Sequence, residues 1–179
     1  NERFLTLNNA FVEQAKSYDV AAQNPQTARV LHLLKVSASL PAPRDPAKLK
    51  ELTEIVSRMG GEDGKGKWCV DGKDCKDIGQ VSEILANPAS TYEEMKAAWE
   101  GWHTIAIPMR KDYQRFVELT NEGATEMGFG NTGEVWRAGY DMPPADFQAE
   151  ADRLWGQVQP LYEQLQCYTR EKLVEKYGE

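Results

Sequence analysis

Two histidines, three cysteines and a pair of adjacent glutamates are the residues of this 179-residue chain whose types suit chemistry. A hydrolytic metal centre needs several ligands, usually with two His on one helical face as in His-Glu-x-x-His. His32 and His103 stand far apart and no Cys-x-x-Cys pair supplements them, so each reads as a packing or surface histidine. The stretch Gly61-Glu62-Asp63-Gly64-Lys65-Gly66-Lys67 spells most of a phosphate-binding loop. Trp68, however, follows where a Ser or Thr must reach the magnesium, and no apolar strand precedes it, so the segment is expected to be a flexible loop. Glu93 and Glu94 fall in the first turn of an expected helix, where the dipole favours acidic groups, and capping explains them better than acid–base work. Neither a Gly-x-Ser-x-Gly elbow nor a Cys–His pairing with local support offers a nucleophile. Taken alone, these residues supply a scaffold without a catalytic constellation.

The cysteines carry a second kind of chemistry. Cys69 and Cys75 bracket Val70-Asp71-Gly72-Lys73-Asp74, and an Asp-Gly turn would bring the two ends together. Spacing alone leaves two readings open, a small disulfide-closed loop in an oxidising compartment or two reduced thiols. Cys167 sits on a helical pattern and is expected to be a buried small apolar residue.

The elements that must position these groups are helical. With 41% hydrophobic and 27% charged residues, the chain is enough for one packed domain and not for two. Twenty-one basic against 28 acidic residues leave a net charge of -7 with no basic stripe, which argues against nucleic acid as a partner. No apolar run approaches the roughly 20 residues that span a bilayer. The first residues, Asn1, Glu2 and Arg3, carry neither an initiator Met nor a secretory apolar region, so the start is expected to be mature, processed or clipped.

Apolar residues recur with helical period nearly everywhere and no strand-like alternation is sustained, which sets the fold class as all-α. Phe4, Leu7, Phe11, Ala15 and Tyr18 form one stripe, and Ala28, Leu31, Leu34 and Ala38 a second, with a junction near Asn24-Pro25. Asp45 caps a third helix with Pro46 at its first position; Leu49, Leu52, Ile55, Val56 and Met59 face one way until Gly60-Gly61 is expected to stop it. Residues 60–76 are then one long loop. Ile78, Val81 and Leu85 predict a short helix closed by Asn87-Pro88, and Ser90 with Glu93 or Thr91 with Glu94 offers the next capping box. Pro108 predicts a kink or break before the pattern of Tyr113, Phe116, Val117, Ala124 and Met127, which ends at Gly128. After Pro143-Pro144, Phe147, Ala151, Leu154, Val158, Leu161, Leu165 and Tyr168 form a long seam that wants a neighbouring helix along its length.

Several strings occur in an order that resembles the angiotensin-converting-enzyme family of zinc peptidyl-dipeptidases, in a bacterial-like form. They are Tyr92-Glu93-Glu94 with Ala98-Trp99-Glu100-Gly101-Trp102-His103, Tyr113-Gln114-Arg115-Phe116-Val117-Glu118-Leu119, Gly128-Phe129 with Thr132-Gly133, Trp136-Arg137-Ala138-Gly139-Tyr140, and Gln159-Pro160-Leu161-Tyr162-Glu163-Gln164-Leu165. The likeness is dense from about Cys69 onward and thin before it. It implies a mostly helical zincin-type peptidase of several hundred residues with a deep central channel, of which residues 1–179 form the N-terminal portion of a single domain. It implies further that zinc is bound by the missing C-terminal half, possibly a second chain, so that this chain alone is expected to be inactive. Lid, scaffold and channel wall for a peptide substrate are the roles left to it, in an enzyme releasing C-terminal dipeptides. The alternative is a non-catalytic helical binding module or a degenerate relative without metal.

Residue by residue, the resemblance makes Cys69–Cys75 a family disulfide. It matches Tyr140 to a tyrosine that helps bind chloride alongside an Arg from the other half. His103 stands where some members place an arginine that ligates another chloride and others have His without that ion, so at most one chloride is expected. Gly79 occupies a position where some relatives have an acidic residue contacting the substrate, so their specificity does not carry over. The phrases Val70-Asp71-Gly72-Lys73 and Tyr140-Asp141-Met142-Pro143-Pro144, and the lack of an Asn-x-Ser/Thr site, point to a periplasmic or secreted bacterial enzyme.

Overall fold

Proline and short polar residues punctuate the chain, and the helices begin where these place them. The structure, a computed structural model, describes residues 2–18, 23–37 and 40–178. In order the helices are α1 (Glu2–Lys16), α2 (Pro25–Val36), α3 (Pro46–Lys65), α4 (Ile78–Ala86), α5 (Tyr92–His103), α6 (Arg110–Met127), α7 (Thr132–Ala138) and α8 (Pro144–Tyr177). The strands β1 (Trp68–Val70) and β2 (Asp74–Lys76) make a small antiparallel ribbon. The described chain is therefore all-α in class. It divides into two units, one built from the chain up to Met59 with Lys111–Ala149, the other from Gly60–Arg110 with the chain from Glu150 onward.

In the first unit the core is a cluster of Leu5, Ala42, Leu49, Leu52, Ile55 and Leu119, with Leu40, Val56, Met59 and Phe116 packed against it. Each fully buried leucine contributes about 1.5–3 kcal/mol relative to exposure. Asp45 caps α3 as expected, its carboxylate accepting from Ala47 N at 2.8 Å and Lys48 N at 3.0 Å, with Pro46 at the first helical position. Around this core α3 and α6 run antiparallel, tied by a ladder of ion pairs. Arg58 grips Asp112 with two bonds of 2.7 Å, Arg115 grips Glu51 at 2.8 and 2.9 Å, and Lys48 reaches Glu122 at 2.6 Å. The segment before α3 crosses α6 so closely that a Cβ on Gly123 would lie 2.7 Å from the backbone of Pro41 and Ala42. Gly128 ends α6 at φ 97°, a left-handed conformation that glycine adopts without steric cost. Phe129 N donates to Ala124 O and Gly128 N to Thr125 O, a Schellman ending.

Three expectations are corrected here. On α1 the buried residues are Leu5, Val12 and Ala15, whereas Phe4, Leu7, Phe11 and Tyr18 are exposed. The helix carries two adjacent apolar faces, and the core of this unit takes the one with fewer aromatics. On α2 Leu31 is buried but Leu34 is exposed, and Ala38 lies outside the described residues. Gly60-Gly61 does not stop α3, which continues to Lys65, so residues 60–76 are not one loop. Two glycines cost a helix only about 1 kcal/mol each, and the turns already formed carry propagation past them.

The second unit holds α4, α5 and the ribbon. Asp77 caps α4 in a reciprocal box with Gln80, and Thr91 rather than Ser90 caps α5 in a box with Glu94. Asn87 closes α4 as expected. Pro108 produces a break: α5 gives way to a 3₁₀ turn over Thr104–Ala106 before α6 begins at Arg110. Helix α8 runs unbroken through Pro160 for 34 residues, and none of its residues is buried. Cys167, expected to be buried, is exposed like every residue from 161 to 170, and no described helix covers this stretch or the apolar seam beside it.

Candidate functional site

Tyr140 belongs to the first unit and sits in the turn between α7 and α8. Asn131 caps α7, accepting from Glu134 N at 3.0 Å, and Thr132 N is held by Asn121 Oδ1 at 3.0 Å. After Gly139 the backbone turns back, with Tyr140 N donating to Arg137 O and Asp141 at φ 59°. That left-handed residue is anchored by Arg29 of α2, whose guanidinium bonds the Asp141 carboxylate. The bond holds the carboxyl below the usual carboxylate range and raises Arg29 in turn. His32, also on α2, lies 3.0 Å from Ala138 O through Nε2, so two α2 side chains fasten the end of α7. The Tyr140 ring stacks on Phe147 with centroids 4.4 Å apart and is 61% exposed. A single tyrosine on the surface supplies one anion donor, and a closed anion site needs more.

Cys69 and Cys75 belong to the second unit and are joined by a disulfide at the centre of the ribbon, where they face each other in register. The turn is of the Asp-Gly kind, Asp71 at φ 49° and Gly72 at φ 70°, with Lys73 N donating to Val70 O at 3.0 Å. The ribbon carries Trp68 onto α5. A Cβ on Gly101 would lie 2.0 Å from Trp68 Nε1, so the indole rests directly on the helix backbone. The sequence carries one sign of this seat, the alternation of Trp68 and Val70 within a stretch that otherwise reads as loop.

His103 and Glu94 have structural partners. His103 folds back on its own helix, Nδ1 lying 2.6 Å from Trp99 O and its ring 4.1 Å from the Trp99 ring. Glu94 is drawn below the ordinary carboxylate range by Thr91, whose backbone N–H and hydroxyl both donate to it. Gly79 lies in the first turn of α4 beside the capping Asp77, whose Oδ1 a Cβ there would approach to 3.2 Å. Among the described residues, no group of three or more His, Cys, Asp or Glu is arranged to hold a metal ion. The described side chains therefore do not fit zinc. No helix of the described residues is long and apolar enough to cross a membrane.

The chain is 34% identical over 178 residues to angiotensin-converting enzyme of Oryctolagus cuniculus, which covers 95% of this chain and 13% of that protein. It is 34% identical over 179 residues to the enzyme of Bos taurus, with 97% and 14% covered, and 35% identical over 173 residues to that of Sus scrofa, with 93% and 13% covered. The chain thus spans about one seventh of the length of the curated relatives it matches. The family model for angiotensin-converting enzyme matches residues 1–179. On that match over the whole chain, borne by an all-α structure, the chain belongs to the angiotensin-converting-enzyme family of peptidases.

Proposed function

We propose that this chain is the N-terminal portion of the single catalytic domain of a zinc-dependent peptidyl-dipeptidase, which releases dipeptides from the C-termini of oligopeptides. In this reading the chain is lid, scaffold and one wall of the substrate channel, and the remainder of the protein supplies the zinc ligands and the groups that polarise water. One observation carries it: the 34-residue α8 presents an apolar seam from Phe147 to Tyr168 with no residue buried, in a chain that matches the peptidase family from end to end. A seam of that length is the signature of a helix that packs along another. The exposed Phe4, Leu7 and Phe11 on α1 give a second apolar face of the same kind.

Tyr140 is assigned to at most one chloride, shared with an arginine of the remainder. Its exposure and its anchored turn, pinned by Arg29 and Asp141, support a tyrosine presented outward. The Cys69–Cys75 bridge supports an oxidising compartment, periplasmic or extracellular.

The test uses the whole protein that carries this chain. Zinc content is measured together with release of a C-terminal dipeptide from an N-blocked tripeptide. About one zinc per molecule and chelator-sensitive dipeptide release are the expected results. A protein without zinc that binds peptides but releases no dipeptide would instead be a helical binding module. Chloride dependence that survives Tyr140→Phe would remove the assignment of that residue alone.

A further inference from the structure

The disulfide and the Trp68 seat lie on opposite faces of one ribbon, and this suggests a device. Side chains alternate along a strand, so Trp68 and Val70 of β1 share a face with Asp74 and Lys76 of β2, while Cys69 and Cys75 take the other. The first four line one wall of a cleft in the second unit. The opposite wall is α4 and α5, through residues that include Gln80, Ile84, Glu93 and Ala97. Both cysteines are exposed, so the bridge is open to solvent thiols while the wall it holds faces inward.

Little else holds the ribbon. Each strand has three residues, and an isolated two-stranded ribbon is at best marginally stable in water. Its anchorage is the indole of Trp68 on Gly101, a contact that requires β1 to keep its course. The Lys76 ammonium is held by Asp74 on the same strand, so that pair adds nothing across the cleft.

We propose that the Cys69–Cys75 bridge is a redox-operated strap, which keeps Trp68 seated on Gly101 and the cleft walled when oxidised and frees the ribbon when reduced. The step is a thiol–disulfide exchange with a dithiol. One thiolate attacks a cysteine Sγ, the S–S bond breaks to a mixed disulfide, and the second thiol of the reductant displaces it. The dithiol loses two electrons and two protons and becomes a cyclic disulfide, and Cys69 and Cys75 become thiols. Helices α4 and α5 keep their own caps at Asp77 and Thr91, so the release is local to the ribbon.

The test is limited trypsin digestion of the full chain, with and without dithiothreitol, mapped by mass. Lys67, Lys73 and Lys76 supply cleavage sites in the ribbon, and Lys111 and Arg115 of α6 serve as internal controls. Reduction is expected to raise cleavage in the ribbon by about tenfold or more while α6 is unaffected, since local opening governs cleavage. Reoxidation should restore resistance, and Cys69→Ser with Cys75→Ser should behave as reduced protein in either condition. Oxidised Gly101→Val, which keeps the bridge but blocks the seat, should be cut in the ribbon almost as fast. Equal ribbon cleavage in oxidised and reduced protein would overturn the strap. So would a rise of the same size at the α6 sites, because the bridge would then hold the whole fold rather than the ribbon.

Discussion

Helices α6 and α8 both carry an apolar stripe, yet one is folded into a core and the other buries none of its residues. On α6, Leu119, Thr120, Gly123 and Ala124 are buried, and α3 faces it with leucines and with matched charges. On α8 the seam of Leu154, Val158, Leu161, Leu165 and Tyr168 is exposed from end to end. The lesson is that periodicity reports which face of a helix needs cover, while the cover itself is a property of the neighbours. In α6 the neighbour is in this chain; for α8 it is proposed to lie in the rest of the protein.

The sharpest way to break that contrast is a pair of matched truncations. Leu119→Ala removes a side chain with no exposed surface and should cost about 2–5 kcal/mol by denaturant unfolding. Leu161→Ala, at 71% exposure, should change the stability of this chain by no more than about 0.5 kcal/mol. In the whole protein the second substitution should cost as much as the first. A small effect there would show that nothing covers the seam.

A glycine pair sharpens the comparison with opposite signs. Gly123→Ala forces a methyl to within 2.7 Å of the Pro41–Ala42 backbone and should destabilise by about 1–3 kcal/mol. At Gly156 of α8 an added Cβ meets nothing within 4 Å, so Gly156→Ala should stabilise by about 0.5–1 kcal/mol through helix propensity. Thermal midpoints that move in the same direction for both would contradict the packing described for α6.

The smallest expected effect is electrostatic. The bonds from Arg58 and Arg115 hold Asp112 and Glu51 below the ordinary carboxylate range. A depressed folded value means that the unfolded chain takes up the proton first, so this stability is complete above about pH 5 and is lost as pH falls through the folded values. The groups are exposed, and the loss is correspondingly modest. Replacing Arg58 with Ala should flatten the acid limb of the stability profile, and replacing Arg153, which lowers Glu150 within one helix, should flatten it in the same sense.

Much of the fold was legible because its signals are local. Asp45-Pro46, Asn87-Pro88, Thr91 with Glu94 and Gly128 each mark a helix end through their own backbone chemistry, and the structure uses all of them. What was illegible depends on neighbours or on balance. Phe4 and Phe11 outrank Leu5 and Val12 in bulk, yet the core chose the smaller pair. Gly60-Gly61 reads as a stop and is overrun, because the cost of two glycines is less than the gain of continuing a formed helix. Cys167 looked buried for the reason α8 looked buried. At the candidate site, family likeness pointed to Cys69 with Cys75 and to Tyr140, but Arg29 meeting Asp141 joins residues from different helices and leaves no mark in spacing.

The ion-pair ladder between α3 and α6 carries one further consequence. Sliding one helix past the other by about one turn would keep apolar residues facing apolar residues at little cost, since apolar faces repeat at that interval. The charges do not repeat with the same sign. Such a slide would carry Arg58 from Asp112 to Arg115, replacing a gripped pair with a repulsion. Surface ion pairs that add little to the depth of the folded minimum thus decide which of several similar alignments the two helices adopt.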